Sequence, residues 1–216
     1  MLKLHGFAVS NYFNMVRMAL ETKAIPYEAV LRYPSQEDDW LALSPMGKVP
    51  CLETAEGCLV ETTVILDYLE DHFPDQPLMP RGAFEKAQTR EVMQILQLYI
   101  ELPARRLYSG VFFGGQNTAA VVDDVKPVLE KGIRALKRLS RFDPYIMGGT
   151  LTAADFMFLY TFELARVVAR KEYDWDIVAD IEGSQALIDL LNENASVERI
   201  AAENKAQMAA FLSRLK

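Results

Sequence analysis

The sequence predicts an α/β domain built on a mixed four-stranded sheet, followed by an all-helical domain. Strand-like and helix-like patterns alternate only as far as residue 75. Pro74, Pro77, Pro80 and Gly82 then punctuate the chain, and every periodic stretch beyond them is helical. The expected organisation is therefore a first domain at residues 1–75, a linker at 76–82 and a helical domain at 83–216.

Leu2 to Phe7 reads as a short strand, and Ser10-Asn11 offers a helix cap behind it. Val16, Ala19 and Leu20 recur at helical spacing up to Ala24, and Pro26 stops that helix. Tyr27 to Leu31 is a second strand. Tyr33 to Leu43 begins polar and acidic, then turns into a short helical or irregular stretch. Val49 to Thr54 and Cys58 to Val60 form two strands around an Ala-Glu-Gly turn. Thr62 opens a helix whose Val64, Ile65, Tyr68, Leu69 and Phe73 follow the helical period, and Pro74 ends it. In the second domain Ala83 to Phe113 is one long amphipathic pattern, and Pro103 inside it predicts a kink or a split. Ala119 to Leu139, with Pro127 in its first turns, and Thr152 to Val168 are further helices; two more follow between Ser184 and Leu215.

Half of the 216 residues are hydrophobic and a quarter are charged, as in ordinary globular chains. No apolar run reaches the roughly 18 residues of a membrane span. Met1 to His5 starts a strand rather than a secretion signal, so a cytoplasmic protein is expected. Residues 1–80 hold 5 Lys/Arg against 12 Asp/Glu, whereas residues 81–216 hold 18 of each. That unevenness supports two domains with different surfaces, and an acidic chain without a basic stripe argues against nucleic acid as a partner. Cys51 and Cys58 lack CxxC spacing and the two histidines lie far apart, so no metal is expected. A hairpin turning at Glu56-Gly57 puts the cysteines out of register for a bridge, which leaves two free, packed thiols.

Two short segments carry chemistry. In Ser44-Pro45-Met46-Gly47-Lys48-Val49-Pro50, a proline stands just before the apolar residues of a strand. A cis Val49-Pro50 bond would turn the backbone of Val49 outward, free to pair with an extended peptide; a plain loop before an edge strand is the alternative. Glu61-Thr62 stands at a helix N-terminus, where exposed N–H groups and the helix dipole attract a carboxylate. Thr62 adds a hydroxyl and Glu61 can take an ammonium group, which suits the amino-acid end of a small zwitterionic peptide. An ordinary helix cap has the same sequence.

With these residues the chain resembles the glutathione transferase superfamily over nearly its full length. The resemblance rests on Gly47-Lys48-Val49-Pro50, on Glu61-Thr62, and on Gly149-Thr150-Leu151-Thr152-Ala153-Ala154-Asp155, where Thr152 and Asp155 have capping-box spacing. It implies a thioredoxin-like first domain with glutathione as co-substrate and no metal. It further implies that the backbone of Val49 pairs with the cysteinyl part of glutathione beside Pro50, also a glutathione-binding position, that Glu61 and Thr62 hold its γ-glutamyl end, and that Lys48 reaches toward a carboxylate or stays solvated. The third motif serves folding.

In this family the reactive position lies between the first strand and first helix, here Gly6-Phe7-Ala8-Val9-Ser10-Asn11-Tyr12-Phe13-Asn14. Ser10 matches the serine-type members, and its hydroxyl would donate to the glutathione sulfur and favour the thiolate. Asn11 stands where those members have proline, and Tyr12, Asn11 and Asn14 compete for the role. A cap-only Ser10 is the alternative. Without a cysteine here, a covalent protein–glutathione disulfide is not expected, and the turn also lacks the Ser-Ser-Cys-Ser-like pattern of the maleylacetoacetate isomerase class. The resemblance places a second substrate between domains over the sulfur, with Tyr12, Tyr108 and Phe112 as wall candidates; Tyr99 and Phe113 share the same stripe, and an aromatic stripe at helical spacing is more often core. It implies a homodimer as well. Conjugation of a small electrophile is the leading expectation, with glutathione-dependent isomerisation or reduction, or a non-catalytic interaction protein of the same fold, as alternatives.

Overall fold

A computed structural model describes residues 1–214; positions 215 and 216, the end of the expected helical domain, lie outside the described residues. The chain forms two compact units, one of residues 1–78 with 194–214 and one centred on residues 79–193.

In the first unit, strand β1 (Leu2–Gly6) pairs in parallel with β2 (Tyr27–Leu31) and antiparallel with β3 (Cys51–Glu53), which pairs antiparallel with β4 (Cys58–Val60). The sheet is thus mixed, with order β2-β1-β3-β4. Helix α1 (Asn11–Thr22) buries Phe13, Met15, Val16, Met18, Ala19 and Leu20. It packs against α3 (Thr62–His72), which buries Ile65, Leu66 and Leu69. The irregular stretch condenses into one short helix, α2 (Asp38–Leu41), that drives Trp40 inward. Cys51 faces Val60 across the hairpin and Cys58 faces Glu53, and both thiols are free. Burial, with Cys58 and Glu53 close by, pushes the Cys51 thiol up to about 12, so it is inert at neutral pH.

One contact invisible to periodicity pins the end of this unit. The ammonium of Lys23, just beyond α1, donates to the carbonyls of Phe73 and Gln76, each at 2.8 Å, and pairs with Glu70 at 2.8 Å. Glu70 also accepts the amide of Leu78 at 2.9 Å. A buried ion pair is tolerable only with its remaining hydrogen bonds filled, and here carbonyls and an amide of the chain fill them.

The last helix, α10 (Ala195–Arg214), belongs to this first unit, whereas a division by sequence position groups it with the other helices. Its inward positions Val197, Ile200, Glu203, Gln207 and Phe211 recur every three or four residues. Buried Arg17 of α1 donates to Glu203 at 2.7 Å, and Glu21 pairs with Arg199. Phe7 lies 5.1 Å from Phe211, and Arg214 sits 4.1 Å over the ring of Tyr33.

In the second unit the long pattern from Ala83 becomes α4 (Ala83–Ile95), a π-helical turn (Leu96–Glu101), α5 (Leu102–Arg105) and α6 (Tyr108–Phe112). The break precedes Pro103, which sits in the first turn of α5 where its missing N–H is harmless. Facing the π turn is Gly132 of α7 (Ala119–Leu139), where a Cβ would lie 2.6 Å from the carbonyl of Tyr99. Helix α8 (Ala153–Tyr173) is buried along most of its first half, and α9 (Ser184–Asn192) follows. Asp155 secures the start of α8: one carboxylate oxygen accepts the amide of Ile146 at 2.8 Å, and the other the amide and hydroxyl of Thr152 at 2.7 and 2.9 Å. Among the described residues no helix is long and apolar enough to cross a membrane.

Asp155→Ala strands two amides and a hydroxyl in the interior and should destabilise the helical unit by on the order of 3 kcal/mol, read as faster hydrogen exchange across α8. A pH effect belongs to α10. The hydrogen bond from Arg17 holds Glu203 below the ordinary carboxylate range, and Glu21 is held low against the opposing effect of its burial by Ser196, Arg199 and Tyr27. Groups with depressed folded values stabilise above their unfolded pKa and lose that contribution as pH falls through the folded one. Proteolysis of α10 should therefore accelerate below about pH 4.5 while the β-sheet amides stay protected.

Candidate functional site

The register of the sheet brings the two sequence motifs and the turn after β1 to one end. His5 of β1 faces Cys51 of β3, and Cys51 faces Val60 of β4. The turn that follows β1, the Lys48-Val49-Pro50 segment that precedes β3 and the Glu61-Thr62 pair that follows β4 therefore emerge at the same edge of the first unit.

Each segment carries unspent hydrogen-bonding capacity. The Val49-Pro50 bond is cis. Among the described residues neither the amide nor the carbonyl of Val49 has a hydrogen-bond partner. Lys48 is exposed, and its carbonyl is held by the Ser44 hydroxyl at 2.8 Å. Gly47 has φ +66°, and a Cβ there would collide with the Ser35 carbonyl and the Gln36 amide, so the segment's shape depends on glycine.

Glu61 precedes α3 with φ +68° and ψ 117°, outside any region natural to a side-chain-bearing residue, and its side chain is exposed. No side chain caps α3, and among the described residues the amides of Thr62, Thr63 and Val64 have no partner. Thr62 is only 3% exposed. The result is an open helix N-terminus with a hydroxyl beside it, an arrangement that receives a carboxylate.

The third segment differs because its helix is capped. Ser10 is half-buried, and its Oγ accepts the amide of Phe13 at 3.3 Å. That bond uses a lone pair and leaves the hydroxyl proton free to donate, so capping and donation coexist in one side chain. Asn14, 1% exposed, donates its Nδ2 to the carbonyl of Ala8 at 2.8 Å. That bond braces the turn after β1. Asn11 is buried and Tyr12 half-buried in the first turn of α1.

Tyr108 and Phe112 lie in the second unit. Their rings meet edge to face at 5.1 Å. Tyr108 is buried, its hydroxyl 3.5 Å from Glu101 and its ring 5.1 Å from the Arg105 guanidinium. Burial and the neighbouring carboxylate drive its phenol far above the ordinary range, so it stays protonated. Phe112 is half-buried, whereas Tyr99 and Phe113 are exposed. No group of three or more His, Cys, Asp or Glu side chains among the described residues could hold a metal ion.

Residues 4–77 match the family model for the glutathione S-transferase N-terminal domain. A glutathione S-transferase of Pseudomonas putida is 44% identical over 216 residues, covering 100% of this chain and 98% of its own. A maleylpyruvate isomerase of a Ralstonia species is 30% identical over 176 residues, 76% of this chain and 82% of its own. Among solved structures, a holo maleylpyruvate isomerase described as a bacterial zeta-class glutathione S-transferase superposes with a TM-score of 0.72 at 26% identity, covering 92% of this chain and 95% of that one.

The backbone at Glu61 is spent on the open end of α3. Glu61→Gly should raise stability by about 1 kcal/mol, the relief of a strained φ less the added entropy of glycine, measured by urea unfolding of the whole chain.

Proposed function

The chain belongs to the glutathione S-transferase family, and on that premise we propose that its first unit binds glutathione and presents the thiolate to a small electrophile. It is an enzyme of the transferase class, and its chemistry depends on glutathione. The observation that carries the residue assignments is the convergence, at one sheet end, of an unpartnered Val49 backbone, an uncapped α3 and the Ser10 hydroxyl.

The roles follow from the chemistry of each group. The amide and carbonyl of Val49 are a strand edge one residue long, matched to the cysteinyl peptide unit of glutathione, with Pro50 fixing the direction in which they face. The amides of Thr62 and Thr63 with the Thr62 hydroxyl take the γ-glutamyl carboxylate, and Glu61 takes the adjacent ammonium. Lys48 is within the same edge and supplies a cation for the remaining carboxylate. These contacts leave the sulfur at the turn after β1, where Ser10 donates its proton as a hydrogen bond and the N-terminus of α1 adds a favourable field. The thiolate sulfur then attacks an electrophilic carbon of the second substrate, forming a carbon–sulfur bond as a leaving group departs with its electron pair or, at an activated double bond, as the π bond breaks and the resulting carbanion takes a proton from water; no bond forms to the protein. Tyr12, Tyr108 and Phe112 are the candidates for contact with that substrate. A homodimer and a cytoplasmic location complete the reading.

A second reading uses the same thiolate for glutathione-dependent isomerisation. The 30% identity to a maleylpyruvate isomerase over 76% of the chain favours it. In that case the carbon–sulfur bond formed by attack breaks again after rotation about the adduct, and glutathione is regenerated.

Calorimetric titration should show saturable glutathione binding, weakened about tenfold in Thr62→Ala, the loss of one hydrogen bond to a charged group. In a panel of electrophiles, Ser10→Ala should lower kcat/KM by roughly 100-fold with glutathione affinity kept. Undiminished turnover in that variant would remove Ser10 from the mechanism. Sedimentation should give about twice the 24.4 kDa chain mass; a single-chain species contradicts the dimer.

A further inference from the structure

The turn that presents Ser10 is held from the far end of the sequence. The peptide unit joining Phe7 to Ala8 is bonded on both edges. Its N–H, at Ala8, donates to Oε1 of Gln207 in α10 at 3.2 Å, and its carbonyl, at Phe7, accepts the amide of Ser10 at 3.0 Å. The next carbonyl, at Ala8, accepts Nδ2 of Asn14. Ala8 is 3% exposed, so water has little access to its N–H and an acceptor must come from the protein. The Phe7 side chain is gripped as well, 4.9 Å from Tyr33 and 5.1 Å from Phe211, one helical turn beyond Gln207.

We infer that Gln207 is a positioning residue for the reaction, acting through the Phe7–Ala8 peptide to fix where the Ser10 hydroxyl points. The inference rests on Ser10 as the group that stabilises the thiolate. In a trans peptide the N–H and C=O point in opposite directions, so the plane cannot rotate to seek a new acceptor for Ala8 without turning the Phe7 carbonyl away from Ser10. Loss of the Gln207 carbonyl thus moves the bond that sets the Ser10 backbone, two residues away, while Val49 and Thr62 stay in place on β3 and α3. The effect should fall on sulfur ionisation and leave glutathione affinity unchanged.

The test is the pKa of enzyme-bound glutathione thiol, followed by thiolate absorbance against pH in the full chain. Gln207→Met keeps the side-chain length and removes the acceptor; Gln207→Glu keeps an acceptor oxygen. Gln207→Met should raise the bound thiol pKa by about one unit, a roughly fivefold loss of thiolate near neutral pH, with the glutathione dissociation constant within twofold of wild type. Gln207→Glu should restore the wild-type value. A raised value in Ser10→Ala beside an unchanged one in Gln207→Met would overturn the inference alone, as would equal shifts in the Met and Glu variants. An unchanged value in Ser10→Ala would overturn the Ser10 reading itself, and this inference with it. Because binding is measured on the same samples, a variant that releases α10 and loses glutathione affinity also counts against the inference.

Discussion

The register between β1, β3 and β4 is the constraint on which the site depends. Three segments far apart in sequence reach one edge of the sheet because His5 faces Cys51 and Cys51 faces Val60. A slip of one residue would exchange the two faces of a strand, moving Leu4 or Leu52, both fully buried, out of the layer it packs in, and would carry Pro50 or Glu61 out of line with the turn after β1. The strand pairing that holds the core in register is thus the same feature that aligns an open backbone, an open helix end and a hydroxyl. Packing fixes the site before any of its polar groups acts.

Local pattern revealed much of this and missed what depends on distance. The strand at Tyr27–Leu31 and the helix at Ala119–Leu139 stand where alternation and period put them, since each is set by its own residues. Gly47-Lys48-Val49-Pro50 and Glu61-Thr62 were legible because proline and helix-end chemistry are local. The π turn at Leu96–Glu101 was not: periodicity led to Pro103, yet the ladder changes earlier, where Gly132 of α7 lets the backbone at Tyr99 come close. The packing of α10 with the first unit was equally hidden, because its inward stripe contains Glu203 and Gln207, whose partners Arg17 and Ala8 lie at the other end of the chain. A polar residue on a buried stripe announces a partner without naming it.

Charge raises an apparent objection, since the first 80 residues carry a net excess of seven acids and glutathione is itself an anion. Range decides the matter. At physiological salt, exposed charges more than about 8 Å away are largely screened, whereas in the proposed binding mode the amides at the start of α3 act at hydrogen-bond distance. Helix α10 also tempers the unit, contributing Arg199, Lys205 and Arg214 against Glu198 and Glu203. Local donors therefore outweigh the overall sign, and the acidic surface bears on solubility and association more than on the ligand.

On the role proposed for Ser10, the energetic demand on its turn is modest, and one hydroxyl on a capped helix is enough to meet it. A thiol with an ordinary pKa near 8.5 needs a depression of about 1.5 units to be half ionised at pH 7, or about 2 kcal/mol. One hydrogen bond to a charged acceptor supplies roughly 1.5–3 kcal/mol, and a helix N-terminus adds about 0.3–1. These terms close without a metal ion or a protein nucleophile, provided the hydroxyl is aimed. Aim is the part a flexible turn would lose. In this chain it is secured by Phe13 through the serine side chain, by Asn14 through the Ala8 carbonyl, and by a glutamine from the last helix through the peptide before it.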